Sequence, residues 1–193
     1  MHHIYHIEGI ILGSRSHGES GRYYYIFTRD LGMVSASAQG VRKMSSKLRY
    51  VLQDFAYLKI DLVQGKNIFR ITNASKTNVL ENITKMPENF KVFVNIVRLL
   101  KRLLAGVEPN ENLFNDIVTG LSILEKIESK EDLLNIEAII VLRILNNLGY
   151  IGENEILGKL TKSPFEGHLV FEVSKDRNKV LQHINKALKE THL

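Results

Sequence analysis

Near residue 80 the hydrophobic repeat of this 193-residue chain changes period. Upstream, apolar and polar residues alternate, the two-residue repeat of a half-buried strand. Downstream, apolar residues recur every three to four positions, as on an amphipathic helix. One segment cannot present a single buried face under both periods. The chain is therefore expected to be α+β, with a strand domain over 1–79, a helical domain over 80–193 and the boundary near Thr77–Glu81.

Five strand-like runs precede the switch: His6–Ser14, Gly21–Thr28, Gly32–Gly40, Phe55–Val63 and Asn67–Ala74. In the third, Val34, Ala36 and Ala38 oppose Ser35, Ser37 and Gln39. The turn signals SHGESG, RDLG and VQGKN separate the runs. Five short strands in so little chain suggest a small barrel. Gly9, inside the first run, is a candidate for the bulge or bend that such barrels need.

Beyond the switch, Pro87 and Gly106 bracket a helix with Phe93, Ile96, Leu100, Leu103 and Leu104 on one face. Asn110 can cap a second helix. Ser129–Asp132 is a capping-box pattern opening LLNIEAIIVLRILNNLG, which is apolar almost all round and reads as the buried central helix, closed by Gly149. A last helix from Asp176 turns Val180, Leu181, Ile184 and Leu188 inward.

Several kinds of chemistry are absent. Cysteine does not occur, which removes disulfides, thiolate metal sites and cysteine nucleophiles and fits a reducing compartment. No apolar run reaches the ~18 residues of a spanning helix, and the first residues lack the basic region of a signal peptide. Neither Gly65–Lys66 nor Gly158–Lys159 is followed by Ser or Thr, so there is no phosphate-binding P-loop. H-E-x-x-H and G-x-S-x-G are also missing. Ser16, His17 and Glu19 lie together in a turn, where neighbouring residues rarely take triad geometry. His2, His3 and His6 read as polar residues near a terminus rather than as metal ligands. No metal or cofactor is expected. Of the run Tyr23–Tyr25, most rings are expected in the core, with one a candidate for stacking on a nucleobase.

Charge supplies the positive signal. Residues 1–80 carry eleven Lys/Arg and five Asp/Glu, while the remaining fifteen and sixteen nearly cancel. The excess concentrates in GVRKMSSKLR, Gly40–Arg49, where Arg42, Lys43, Lys47 and Arg49 stand in a stretch with no carboxylate between Asp30 and Asp54. Such cations repel one another, and a polyanion relieves the repulsion with release of its counterions. Arg15, Arg22, Lys66 and Arg70 can extend the surface.

The stretch from Glu8 to Asn67 resembles the RecO family of bacterial DNA-repair recombination mediators. HGESGR (His17–Arg22) is similar to the family's Gly-Glu-x-x-Arg turn, FTRDLG (Phe27–Gly32) to a strand-to-strand turn, GVRKMSSKLRYVLQDF (Gly40–Phe55) to its basic segment, and QGKN (Gln64–Asn67) to a later turn. The resemblance implies an N-terminal five-stranded OB-fold barrel and a C-terminal all-helical domain. It implies a non-enzymatic protein that binds single- and double-stranded DNA, anneals complementary strands and helps load recombinase. Implied partners are RecR and the C-terminal tail of single-strand-binding protein, in the cytoplasm with the nucleoid. By position, Arg42, Lys43, Lys47 and Arg49 would contact DNA. Many family members carry a four-cysteine zinc module after the central helix; here GYIGENEILGKLTKSPFEGHLVFEV occupies that region without cysteine. Three other readings compete: an RNA-binding OB module, a small hydrolase using Ser16, His17 and Glu19, and an adaptor whose basic face meets an acidic protein.

Overall fold

The structure, a computed structural model, describes residues 3–104, 108–152 and 155–191. The chain forms two compact units, Met1–Glu81 with Leu104–Glu111, and Asn82–Leu103 with Asn112–Leu193.

The first unit is a closed five-stranded barrel. Strands β1 (Ile4–His17), β2 (Gly21–Thr28), β3 (Gly32–Ala38), β4 (Tyr57–Gln64) and β5 (Phe69–Lys76) run in the order β1-β2-β3-β5-β4, and β4 closes on β1. Only β3 and β5 pair in parallel, as Ala36 with Phe69 and Ser37 with Arg70. This is the expected OB-type barrel. Ile11, Tyr24, Ile26, Ala36, Leu58, Ile60, Leu62 and Ile71 fill its core.

Local deviations follow from particular residues. The bulge in β1 lies at Leu12, between Ile11 and Gly13, rather than at Gly9. Gly9 serves close approach instead: a Cβ there would lie 2.8 Å from Ile26 Cγ2 and 3.0 Å from the Phe27 carbonyl oxygen. β5 bulges at Thr72, so its alternation changes phase and Ile71 and Ala74 are both buried. β4 begins at Tyr57, two residues later than expected, because Phe55 has φ +70° and turns the chain. The amide of Phe55 donates to the Ile11 carbonyl at 2.8 Å.

The second unit contains α1 (Pro87–Leu103), α2 (Glu111–Leu124), α3 (Lys130–Asn147), α4 (Glu155–Lys162) and α5 (His168–Glu190). As its composition predicts, α3 is buried on nearly every side, and it packs against α1, α4 and α5. Ser129 caps it, although the bond to the Asp132 amide is long at 3.5 Å. α4 and the first turns of α5 were not expected. α5 starts eight residues before Asp176 and breaks there, where φ −125° and ψ 22° leave the helical range. Gly106, expected to end the first helix, lies outside the described residues.

Arg143 holds the segment after α3. Its side chain is 4% exposed. Its Nη1 donates to Asp116 Oδ1 at 2.7 Å and its Nε to the Leu160 carbonyl at 3.0 Å, and Nη2 donates to the Ser163 carbonyl. The guanidinium lies 4.3 Å from the Phe165 ring centroid, and Asn147 donates to the other Asp116 oxygen at 3.0 Å. One side chain thus joins α2 to α3 and satisfies carbonyls at the end of α4 that have no helical partner.

Two outcomes check this account. Arg143→Ala leaves Asp116 with only the Asn147 amide and no cation, strips two carbonyls of their donor, and should cost the helical unit about 3–5 kcal/mol in urea unfolding. In the barrel, burial pushes the Tyr57 phenol up to about 12, aided by the 2.8 Å hydrogen bond it donates to Glu8. Its folded value lies above its unfolded one, so this contribution is full below about pH 10 and fades as pH rises toward 12. Stability measured across that window should fall, and less steeply in Tyr57→Phe.

Candidate nucleic-acid interface

The basic segment is fastened at both ends. β3 stops at Ala38, and Gly40, at φ +67°, turns the chain where a Cβ would be strained. The Lys43 amide closes that turn on the Gly40 carbonyl at 3.0 Å, and the Arg42 amide donates to Ser20 of the β1–β2 connection at 2.8 Å. A short 3₁₀ turn follows at Lys47–Tyr50. Val41 and Leu52 enter the barrel core at 2% and 1% exposure. The residues between them therefore stay at the surface: Arg42, Lys43 and Lys47 are exposed and Arg49 is half-buried.

Strand alternation then builds a pocket. Arg22, Tyr24 and Ile26 share the inner face of β2. Ile26 and Tyr24 are core, and Arg22 is the next inward position, at the end of the barrel. A guanidinium there is not packed over by apolar residues without cost, and the mouth stays open. The resulting pocket, of about 380 Å³, is lined by Arg22, Arg42, Arg49, Tyr24, Gln53 and the core residues Val41 and Leu52. Among the described residues, no carboxylate lines it. Arg22 Nη1 donates to Ser14 Oγ at 3.1 Å, while its buried Nε has no hydrogen-bond partner among the described residues. Burial pushes the Tyr24 hydroxyl above the usual phenol range; Arg22 opposes the shift and Asp54 adds to it. Tyr24 is accordingly a neutral hydroxyl at ordinary pH.

Arg15 and Arg70 lie elsewhere on the same barrel. Arg15 of β1 pairs with Tyr23 of β2, Tyr23 with Ser37 of β3, and Ser37 with Arg70 of β5. Paired residues share a face, so the two arginines end one lateral row spanning about 14 Å across four strands. Arg15 Cζ lies 5.3 Å from the Tyr23 ring centroid and 6.0 Å from that of Tyr25, within cation–π range. Lys66 sits in the β4–β5 turn, on a separate pocket of about 250 Å³ with Met33, Ser35 and Phe69. Among the described residues, none of the eight predicted cations forms an ion pair with a carboxylate. The larger pocket of the helical unit, about 540 Å³, differs in character: Lys159 and His168 are balanced by Glu172 and Asp176.

Other sequence expectations resolve differently. Of the three tyrosines, only Tyr24 enters the core; Tyr23 and Tyr25 lie half-buried on the outer face, because neighbours in a strand point oppositely. His17 covers Tyr23, with ring centroids 4.1 Å apart and its Nε2 3.1 Å from the Tyr23 hydroxyl. Ser16 and His17 lie in the same strand and alternate faces, so they do not converge as a nucleophile and base would. His6 Nδ1 instead meets Asp61 at 2.7 Å, and His2 lies outside the described residues. Sequence reasoning missed Tyr24 and Gln53 as neighbours of the arginines. An inward-facing Arg two residues before an inward-facing Tyr was the available signal.

Barrel order and a mouth lined by three arginines define an OB-type barrel with a basic pocket. Residues 1–79 match the family described as "Recombination protein O N terminal". Similar chains include the DNA repair protein RecO of Heliobacterium modesticaldum, 31% identical over 150 residues covering 78% of this chain and 53% of the relative. That of Rubrobacter xylanophilus is 29% identical over 147 residues, 76% of this chain and 58% of the relative. Through residues 1–79 the chain carries the N-terminal domain of the RecO family, and it spans a little over half the length of these curated relatives. Among the described residues no helix is long and apolar enough to cross a membrane.

Clustered guanidiniums without acids should cost the barrel stability. Arg42→Gln is expected to stabilise it by about 0.5 kcal/mol at low ionic strength. Near 1 M salt, where the screening length is about 3 Å, the gain should vanish; thermal unfolding in the two buffers measures it.

Proposed function

We propose that this chain is a DNA repair and recombination mediator that binds single- and double-stranded DNA, anneals complementary strands and, with RecR, helps load recombinase. It works without covalent chemistry. The observation supporting this most directly is the barrel mouth, where three arginines from separate segments line one pocket that, among the described residues, no carboxylate lines. Arg42, Lys43, Lys47 and Arg49 hold backbone phosphates, with Arg15, Arg22, Lys66 and Arg70 extending the path. A surface of this kind screens the repulsion between two strands and leaves their bases free to pair. RecR and the C-terminal tail of single-strand-binding protein are the protein partners, and the site of action is the cytoplasmic nucleoid; the match to the family's N-terminal domain supports these assignments.

A salt series tests the reading. Engagement of Arg42, Lys43, Lys47 and Arg49 with single-stranded DNA corresponds to a slope of about −2.8 in log affinity against log salt, roughly fifty-fold weaker binding at 200 mM than at 50 mM. Reversing all four charges should abolish binding in a fluorescence-anisotropy titration. Unchanged affinity in that variant overturns the assignment, and preference for matched RNA over DNA in direct competition favours an RNA-binding role.

A further inference from the structure

We infer that the pocket formed by Arg22, Arg42 and Arg49 is a discrete seat for one phosphate group, distinct from the diffuse attraction of the surrounding lysines. This deepens the DNA-binding reading and rests on it for the source of the phosphate.

The three guanidiniums come from three places: β2, the turn after β3 and the 3₁₀ turn. Nothing in local sequence requires them to line one pocket of about 380 Å³, and a folded chain ordinarily separates like charges or pairs them with acids. Here neither occurs. Asp54 is close enough to act on Tyr24 but does not line the pocket and forms no ion pair with the arginines among the described residues.

The hydrogen-bonding chemistry is one-sided. Guanidinium groups only donate, and their planar forks match phosphate oxygens in pairs. Tyr24, held neutral, adds a hydroxyl donor, and the buried Nε of Arg22 has a donor still unused. Gln53 adds an amide. Val41 and Leu52 are fully packed core residues and form an apolar, unyielding wall. Donors arranged on a rigid base suit a compact tetrahedral oxyanion. Lys43 and Lys47, exposed and outside the lining, attract strands without fixing their position. The seat would set the register of the backbone on the barrel. Its phosphate comes either from the end of a strand, as a monoester, or from within one, as a diester.

The test follows the arginine Nε–Hε NMR signals of the full chain at constant ionic strength. The probes are thymidine 5′-monophosphate, a 5′-phosphorylated oligothymidylate and the same oligomer with a 5′-hydroxyl. The signals of Arg22, Arg42 and Arg49 should move together and saturate with one midpoint, whereas added chloride should leave them still. Arg49→Gln should weaken that midpoint about tenfold and Tyr24→Phe, which keeps the ring in the core, about threefold. A several-fold advantage for the 5′-phosphorylated oligomer identifies a terminal phosphate; equal saturation by both oligomers identifies an internal one. Oligomers that bind with the expected salt dependence while the three signals stay fixed overturn the seat and leave the DNA-binding reading intact. Saturation by the monophosphate with no binding of either oligomer supports the seat and removes the DNA-binding reading.

Discussion

The register of β2 sets both faces of the barrel. Tyr24 and Ile26 turn inward and complete the core, and the same alternation carries Arg22 to the inner edge and Tyr23 and Tyr25 to the outside. A slip of one residue would exchange all of them. Gly9 protects that register: Ile26 and the Phe27 carbonyl approach so closely that no side chain fits between the strands. The order of the core and the location of the charge are therefore one constraint rather than two.

Electrostatics at the mouth set like charges against one another. The eight cations have no carboxylate partner among the described residues, although the same barrel pairs Arg29 with Glu8 at 3.2 Å. Glu8 thus pairs with a cation of the barrel, whereas no carboxylate among the described residues lines the mouth. Val41 and Leu52, anchored in the core on either side of the basic segment, supply the rigidity that keeps like charges close.

Much of the barrel was legible in the sequence because period-2 patterning survives in strands with one buried face. The Val34–Ala38 alternation and the turns around Gly18, Asp30 and Gly65 located β2 to β5 closely. The remainder depended on pairing between distant residues. The bulges at Leu12 and Thr72 leave no local signature, and the φ of Phe55 arises from its bond to Ile11. α4 buries Leu157 and Leu160 over only eight residues, too few for a period to show. The basic character of the site was visible as composition. That Arg22, Arg42 and Arg49 meet while Arg15 and Arg70 end a separate row is a matter of register, which no window along the chain contains.

The Arg143 clamp gives the region after α3 a particular kind of independence. Its strength resides in nitrogen–oxygen bonds to Asp116, Leu160 and Ser163, and the chain has no thiol. Chelators have nothing to strip from it and peroxide no sulfur to oxidise there. The bonds that hold this part of the chain are therefore indifferent to redox state.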